Sequence, residues 1–364
     1  MRILVIKLKT IGDVLLTTPL ISNLKTQYPA SVIDVLVNKG AEEVLDCNRK
    51  ISHVLTYDRN KIRQEKGLKK ILSEFRFLFW IKKKRYDIVI DLDQGDRGGL
   101  ISKFSGARIR VGNLGVRNKI VSDTYTHFLP QPKGRHIVER MLDPLRVLGI
   151  PIMSKKVEAC WNKEDEKIVD KLLTGVDRFV HIHPFSRVEV KELDVLTLAK
   201  MFDFFEIELS IKVVITAAPL IRELKKVDQT LKKCRSNPIN LGGNLSIKQT
   251  TYLNKCATIF VGVDTAIMHI SAANSTPTLA FFGPSVPDVW GPWDNDTSES
   301  GFHRHGGIQR HANNLVFADK RTCLPCNQEH CLGKATGDCL TSLDIEDIKK
   351  NILTLLKIEG YSND

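Results

Sequence analysis

The chain has 364 residues, of which 42% are hydrophobic and 26% are charged, and its formal net charge is +12. This composition is typical of a soluble globular protein, and the length favours two domains of ordinary size. No stretch reaches the roughly 18 to 20 uninterrupted apolar residues of a membrane span. Lys7, Lys9 and Asp13 interrupt the apolar N-terminus, so we expect no signal peptide and a cytoplasmic location.

The positive charge is unevenly distributed along the chain. Residues 1–160 carry a net charge of +14, and the remaining residues carry −2. A basic half of this kind attracts an acidic partner: nucleic acid, an anionic membrane surface or a phosphorylated glycolipid. Charge that serves solubility alone is the alternative interpretation.

Strand-like and helix-like segments alternate through the first half, which indicates a parallel sheet covered by helices. The predicted strands are Arg2–Lys7, Val32–Val37, His53–Tyr57 and Ile88–Leu92. The predicted helices are Val14–Tyr28, Glu42–Asp46, Leu68–Lys84 and Val138–Leu148.

The pattern changes over residues 150–178 and then restarts, so a second doubly wound half is expected. Its predicted strands are Phe179–His183, Lys212–Thr216, Ile259–Val263 and Pro277–Phe282. Its predicted helices are Asp165–Leu173, Leu196–Phe205, Ile221–Lys233, Ile247–Lys255, Ala266–Asn274 and the terminal Ile345–Lys357. The segment Pro284–Lys320 is predicted to be mostly loop. Neither half contains G-x-G-x-x-G or a P-loop, which disfavours a dinucleotide dehydrogenase.

Three polar clusters follow predicted strands, where open parallel sheets bind their ligands. The first, KLKTIGD, ends at Asp13, and Gly12 permits the tight turn before it. A carboxylate in this position can accept a proton from an attacking hydroxyl, although an aspartate that caps a helix is the simpler explanation when the residue is taken alone.

The other two clusters lie in the second half. In HIHPFSRVEVK, Ser186 offers a hydroxyl and Lys191 a charge suited to a diphosphate, whereas an ordinary solvated lysine is equally compatible. In GVDTAIMH, Thr265 precedes a helix of small residues whose free amide groups form an anion site, and His269 follows one turn later. A capping Asp264 and a core histidine form the alternative reading.

Together these motifs resemble glycosyltransferase family 9, the lipopolysaccharide heptosyltransferases. The opening ILVIKLKTIGDVLLTTPLI, the HPFSR segment with its lysine, GVDTAIMH and the later FFGPS occur in the family's order and spacing. IKL at positions 6–8 and the CLPC near the end are most similar to the heptosyltransferase III group. The resemblance covers nearly the whole chain.

The resemblance implies a GT-B fold, which is an α/β architecture of two Rossmann-like domains facing across a cleft. It implies an acceptor domain at 1–160, a donor domain at 175–343 and a C-terminal helix at 344–364 that crosses back to the first domain. It also implies inverting transfer of L-glycero-D-manno-heptose from ADP-heptose to the lipopolysaccharide inner core, with no cofactor and no metal. A GT-B transferase with another donor or acceptor remains the alternative.

The resemblance further implies a role for individual residues. Asp13 matches the catalytic aspartate, and Lys191 serves both catalysis and phosphate binding. The donor-binding set comprises Thr10, Gly12, Ser186, Lys191, Glu223, Asp264, Thr265, Ala266 and His269. Glu223 matches the glutamate that contacts the ribose. Val188 departs from the family, which usually has tryptophan at this position.

The acceptor is expected to be an anionic glycolipid held by cations of the basic half. The candidates are Arg59, Arg63, Arg97, Arg117, Lys119 and Arg140. The aromatic and cationic run Phe75–Arg85 fits either peripheral contact with the inner membrane of a Gram-negative bacterium or an ordinary crossover helix.

The pair Asp91 and Asp93 has metal-binding spacing but is read as structural or acceptor-facing. We expect a monomer that does not bind nucleic acid.

Four of the eight cysteines cluster near the C-terminus, at Cys323, Cys326, Cys331 and Cys339. Their density resembles a zinc knuckle, but the second pair is spaced too widely for the usual arrangement. Reduced structural thiols are the alternative, and a cytosolic location argues against disulfides. A basic nucleic-acid-binding protein with a cysteine knuckle is the distant alternative for the whole chain.

Overall fold

The computed structural model describes residues 1–64, 66–93, 95–113, 124–131, 134–332 and 336–357. The chain divides into two compact units, Met1–Glu158 and Ala159–Asp364. The division falls at the start of the stretch where the sequence pattern changes. Each unit has its own parallel-dominated sheet.

The first unit is a six-stranded parallel sheet within the described residues. Its strands are β1 (Arg2–Lys7), β2 (Val32–Asn38), β3 (His53–Tyr57), β4 (Ile88–Asp91), β5 (Ile109–Asn113) and β6 (His127–Leu129). Its helices are α1 (Ile11–Leu15), α2 (Thr18–Gln27), α3 (Arg59–Gln64), α4 (Gly67–Lys83), α5 (Asp96–Ser105), α6 (Ile137–Met141) and α7 (Asp143–Val147). The strand order β3-β2-β1-β4-β5-β6 is that of a Rossmann fold.

The core of the first unit follows from the apolar runs in its central strands. Residues 3–6 of β1 are all fully buried, as is typical of a parallel strand covered on both faces. The four predicted strands are present, but β5 and β6 were not predicted because they are short and interrupted by polar residues. The predicted helix Val138–Leu148 is split into α6 and α7, since Pro144 lies in the first turn of α7 and cannot continue a helix.

The second unit has a seven-stranded sheet in the order β12-β13-β11-β10-β7-β8-β9. Its strands are β7 (Phe179–His183), β8 (Lys212–Ile215), β9 (Ile239–Asn240), β10 (Ile259–Val263), β11 (Thr278–Phe282), β12 (Gly307–His311) and β13 (Asn314–Ala318). Its helices are α8 (Lys163–Leu172), α9 (Val195–Asp203), α10 (Ile221–Leu231), α11 (Ile247–Cys256), α12 (Ala266–Ala273), α13 (Pro287–Trp290), α14 (Asp338–Thr341) and α15 (Ile345–Leu356). All pairs are parallel except β12 with β13.

The antiparallel pair β12–β13 corrects the prediction that Pro284–Lys320 is mostly loop. The two strands are joined by the two-residue turn Ala312-Asn313, in which Ala312 has φ 49°. Two-residue turns of this kind usually contain Asn-Gly or a similar pair with glycine. Because alanine occupies the left-handed position here, the sequence carried no hairpin signal.

The terminal helix α15 packs within the second unit. Ile348 and Ile352 are fully buried and belong to the same apolar cluster as Val180 and Leu340. The expectation that the C-terminal segment crosses back to the first domain stays a prediction. Among the described residues, no helix combines the length and the apolar character that crossing a membrane requires.

Candidate functional site

The loop after β1 holds Asp13 between two partners, Thr10 and Lys7. Thr10 donates its hydroxyl to Oδ2 of Asp13 at 2.7 Å, and the ammonium of Lys7 lies 3.5 Å from Oδ1. Lys7 itself is buried, with a second carboxylate, Asp93, 3.7 Å away. The carboxylate of Asp13 caps its short helix, as the simpler reading proposed, but it also retains partial exposure in a polar environment.

Asp93, two residues beyond β4, supports this loop, and Asp91 at the end of β4 holds Asp93. Asp93 accepts a hydrogen bond from the Leu8 amide at 2.6 Å, and Asp91 accepts one from the Tyr125 hydroxyl at 2.5 Å and one from the Asp93 amide at 3.0 Å. Asp91 is fully buried. The structural reading of this pair is the one that the contacts support, because both carboxylates are engaged by the protein itself.

The burial of Asp91 predicts a pH-dependent contribution to stability. Burial, together with the charge of Asp93, raises the pKa of Asp91 to about 7, well above the roughly 3.9 of an unfolded aspartate. Between these pH values the folded chain binds one proton more than the unfolded chain, and this binding stabilises the fold. The stabilisation is lost as the pH rises toward 7. Asp91→Asn is expected to flatten the decrease in unfolding free energy between about pH 4 and 7. Urea denaturation at several pH values measures this dependence of the unfolding free energy on pH, and Asp177→Asn at an exposed position is the control. An unchanged slope of unfolding free energy against pH in Asp91→Asn would contradict the prediction.

Gly98 is required where α5 passes over Asp91. A Cβ atom at position 98 would lie 2.0 Å from Oδ2 of Asp91. Gly98→Ala is therefore expected to displace the buried carboxylate and to lower the unfolding free energy by about 1–3 kcal/mol. Thermal denaturation checks this, and Gly95→Ala is the matched control because its Cβ would meet open space. Equal stability of the two variants would show that Asp91 can move freely.

In the second unit, Lys191 and Asp264 form an ion pair of 2.7 Å. Burial raises the pKa of Asp264, but the charges of Lys191 and His269 and a hydrogen bond from Ser285 outweigh burial and hold this pKa below its usual value. Asp264 is thus ionised at neutral pH. Lys191 is more than an ordinary solvated lysine, since its side chain is only 26% exposed.

The N-terminus of α12 lies directly after this ion pair. Thr265 is the N-cap residue of α12, yet its side chain makes no capping hydrogen bond. Its hydroxyl oxygen is buried and has no hydrogen-bond partner among the described residues. Ala266 begins the helix, and His269 is buried one turn later beside the Trp290 ring. A buried hydroxyl that the protein leaves unsatisfied at a helix N-terminus fits a site for an anionic ligand.

Ser186 is fixed by residues that the motif did not reveal. Its hydroxyl accepts from the Val188 amide at 3.2 Å, and its own amide donates to Glu192 at 3.0 Å. Arg222 joins these groups, because it donates to Glu192 at 2.7 Å and to the Ser186 carbonyl at 2.6 Å. Position 188, where the family usually has tryptophan, thus contributes its backbone to this turn. Arg222 was missed because an arginine on a helix is normally a surface residue.

Glu223 lies next to Arg222 at the start of α10. Its carboxylate accepts from the Ala218 amide at 3.0 Å, and only 1% of the residue is exposed. Burial raises the pKa of Glu223. In this structure Glu223 stabilises the loop after β8, and the ribose contact stays a prediction.

A relay of hydrogen bonds orients His183 at the end of β7. Asn254 contacts Nδ1 of His181 at 3.2 Å, Nε2 of His181 contacts the Thr216 hydroxyl at 2.7 Å, and this hydroxyl lies 2.9 Å from Nδ1 of His183. Burial lowers the pKa of His183 to about 4, so it is neutral at physiological pH. When Asn254 donates to His181, His181 donates to the Thr216 hydroxyl, and this hydroxyl donates to Nδ1 of His183. The ring hydrogen of His183 is then on Nε2 and is directed away from Thr216.

The structure describes the side chains of three predicted acceptor residues, and they are Arg59, Arg97 and Arg140. Arg97 donates to Glu74 and lies 5.0 Å from the Tyr57 ring. Burial raises the pKa of Tyr57 to about 12, and the positive charges of Arg97 and Arg59 oppose this shift. Arg140 donates to the Arg135 carbonyl. The Arg63 side chain, Arg117 and Lys119 lie outside the described residues.

The clustered cysteines are free thiols, and they are Cys323, Cys326, Cys331 and Cys339. Burial, together with Cys331, raises the pKa of Cys339 to about 11, so it is a protonated thiol. Within the described ranges, no group of three or more His, Cys, Asp or Glu side chains is arranged to hold a metal ion. Cys47 and Cys160, which lie outside this cluster, are disulfide-bonded, although a cytosolic location argues against disulfides.

Comparison with known proteins finds heptosyltransferases among the sequence relatives and the solved structures that resemble this chain. The chain is 33% identical to lipopolysaccharide heptosyltransferase 3 of Escherichia coli K12 over 291 residues, which cover 78% of this chain and 82% of the relative. The crystal structure of a family 9 glycosyl transferase from Veillonella parvula matches with a TM-score of 0.78, at 22% identity over 98% of this chain and 97% of that one. E. coli heptosyltransferase WaaC with ADP matches with a TM-score of 0.70, at 18% identity over 98% and 100%.

These structural matches confirm the predicted GT-B fold class, since they cover both units. The profile of glycosyltransferase family 9 (heptosyltransferase) matches residues 75–316, which is about two thirds of the chain. The match includes the whole of the Lys191 and Asp264 region. The chain therefore belongs to glycosyltransferase family 9, the heptosyltransferases.

Proposed function

We propose that the chain is an inverting ADP-heptose:lipopolysaccharide heptosyltransferase that adds L-glycero-D-manno-heptose to the inner core, as a heptosyltransferase III. One observation carries the proposal: the Lys191–Asp264 ion pair stands at the N-terminus of α12 beside the unsatisfied Thr265 hydroxyl. Family membership supports the transfer chemistry, and the name of the E. coli relative supports the substrate pair.

In this proposal the donor diphosphate binds at the N-terminus of α12. The amide groups of the first turn and the Thr265 hydroxyl donate hydrogen bonds to it, and Lys191 supplies a full positive charge. An ammonium has three N–H groups, so Lys191 can keep its bond to Asp264 and still contact phosphate. Asp264 then positions the lysine, and Ser186 and Glu223 complete the donor site.

Asp13 is the proposed base. The acceptor hydroxyl oxygen attacks the anomeric carbon from the side opposite the diphosphate, while the carbon–oxygen bond to ADP breaks and ADP leaves with the electron pair. The hydroxyl proton passes to Asp13, whose orientation is set by Lys7 and Thr10. The positive charge of Lys191 stabilises the departing ADP, so the leaving group requires no added proton.

The acceptor we propose is the anionic inner-core glycolipid, held by cations of the first unit. Its lipid part is embedded in the inner membrane, so we propose that the enzyme works as a monomer on the cytoplasmic face of that membrane. The net charge of +14 in residues 1–160 supports this assignment, because it attracts both the acceptor and the membrane surface.

The proposal is tested by donor selectivity. The purified chain is incubated with truncated inner-core glycolipid and, in parallel reactions, with ADP-heptose, ADP-glucose, UDP-glucose or GDP-mannose, and nucleotide release is measured. We expect nucleotide release that depends on the acceptor. It should occur with ADP-heptose alone, or far faster with ADP-heptose than with the other donors. Equal or faster release from another donor would replace the heptose assignment by a different GT-B transferase.

A further inference from the structure

Helix α4 carries two apolar sides, of which its own unit covers only one. Leu78 and Ile81 face inward and are 5% and 0% exposed. A neighbouring side, mostly over the N-terminal part of the helix, carries five large apolar residues that are between 53% and 78% exposed. We call them the outer stripe: Leu68, Ile71, Leu72, Phe75 and Phe79.

The spacing of the outer stripe is that of one continuous line along the helix. Its members lie at positions i, i+3, i+4, i+7 and i+11, which places them on one side at 3.6 residues per turn. A helix at the surface of a water-soluble domain normally has a single apolar side and a polar opposite side. A second apolar side of this length marks a contact surface rather than a solvated crossover helix.

A cationic pocket adjoins the C-terminal end of the stripe. It is open, has a volume of about 520 Å³, and is lined by Phe79, Lys82, Lys83, Arg85, Ser105 and Arg108 among others. At helical spacing Lys82 and Lys83 fall on either side of the stripe, and the Lys83 ammonium lies 4.7 Å from the Phe79 ring. Asp87 also lines the pocket, and its carboxylate accepts the Arg2 amide at 2.7 Å.

The backbone at Arg85 gives an independent indication. Arg85 follows the C-cap residue Lys84 of α4 and has φ 53°, the left-handed conformation that glycine usually occupies at this position. A non-glycine residue here costs conformational energy. The chain thus keeps a guanidinium at the pocket where the helix end alone would favour glycine.

We propose that the outer stripe and the cationic pocket together dock the enzyme on an anionic phospholipid bilayer. The apolar stripe enters the headgroup region, and the pocket holds the phosphate of a lipid headgroup. Phosphate binding alone would leave the five exposed apolar side chains unexplained, which argues against nucleic acid. The cations at the end of the stripe match an anionic surface, as in amphipathic helices that lie in the membrane interface. This inference rests on the proposed function in one respect only, namely that the enzyme acts at a membrane.

The test is co-sedimentation of the full-length chain with vesicles. We expect binding to phosphatidylcholine vesicles that contain phosphatidylglycerol, weak binding to pure phosphatidylcholine, and loss of binding in high salt. Phe75→Gln is expected to lower the partition coefficient on the order of tenfold. Arg85→Gly is expected to lower it about fivefold while the fold is retained or stabilised, because glycine relieves the left-handed backbone.

Matched controls lie in the second unit. Leu196→Gln removes an equally exposed apolar side chain, and Lys167→Ala removes an exposed cation of a helix. Neither is expected to change the partition coefficient. Absence of wild-type binding to anionic vesicles, or equal effects of test and control variants, would overturn the inference. So would binding to RNA that Phe75→Gln leaves intact while vesicle binding is absent.

An assay with a deacylated, water-soluble inner-core acceptor separates this inference from the proposed function. Phe75→Gln should transfer heptose to that acceptor at the wild-type rate and be impaired only with acceptor embedded in vesicles. If the wild type transfers no heptose to either acceptor, the proposed function fails. If it transfers to the soluble acceptor but binds no vesicles, only the docking surface fails.

Discussion

Replacement of Asp13 by asparagine is expected to reduce kcat by about 100- to 10,000-fold, the usual contribution of a general base. Asparagine has nearly the same shape and can still accept the Thr10 hydroxyl, so the loop after β1 should keep its form. What it lacks is a site for the proton of the attacking hydroxyl. The affinity for ADP, measured by calorimetry, should be unchanged because Asp13 takes no part in holding the diphosphate in this proposal.

The control for Asp13→Asn is Asp58→Asn, which removes a carboxylate paired with Lys39 near the surface of the same unit. Its kcat should stay within about twofold of wild type, as expected of an exposed ion pair. An Asp13→Asn enzyme with near-normal kcat would remove Asp13 as base. It would return the residue to the simpler role of helix cap, which its contact with Thr10 also supports.

Lys191→Met is expected to weaken ADP binding and to lower kcat by about 100- to 1,000-fold, the loss seen when a group that stabilises developing negative charge is removed. It should also destabilise the second unit, since Asp264 would be left buried without its cation. Removing one partner of a fully buried pair costs about 3–5 kcal/mol, and the partial exposure of Lys191 reduces this to about 1–3 kcal/mol. Steady-state kinetics, ADP calorimetry and urea denaturation measure the three effects.

A double variant separates the structural role of Lys191 from its catalytic role. Lys191→Met combined with Asp264→Asn leaves no uncompensated charge, so most of the lost stability should return while activity stays low. Lys349→Met is the matched control, because Lys349 forms a 3.0 Å ion pair with Glu208 on the same unit. It should leave ADP affinity unchanged. Recovery of activity in the double variant would show that Lys191 only neutralises Asp264.

The sequence predicts the strands of both sheets where they are uniformly apolar. β1 and β10 are such strands, and they carry KLKTIGD and GVDTAIMH at their carboxyl ends. It does not predict the hairpin β12–β13, whose turn lacks glycine, or the packing of α15. The placement of an amphipathic terminal helix depends on which apolar surface remains uncovered, and one sequence does not reveal this.

The candidate site shows the same limit in its polar contacts. Lys191 and Asp264 were identified separately, but their ion pair joins residues 73 positions apart. Lys7 and Asp93 were noted in the sequence without any contact between them, and Glu192 and Arg222 were not assigned to the site at all. They are charged residues that folding brings together, and charged side chains in a sequence are normally expected at the surface. The unsatisfied Thr265 hydroxyl is likewise visible only once its surroundings are known.

The most direct test of heptose transfer is the mass of the acceptor. Truncated inner-core glycolipid is incubated with ADP-heptose and the full-length chain, recovered and analysed by mass spectrometry, beside a reaction with Asp13→Asn. We expect the acceptor to gain the mass of one heptose residue with wild type and to remain largely unmodified with Asp13→Asn over the same time. An acceptor of unchanged mass with folded, ADP-binding wild-type protein would contradict the proposed function.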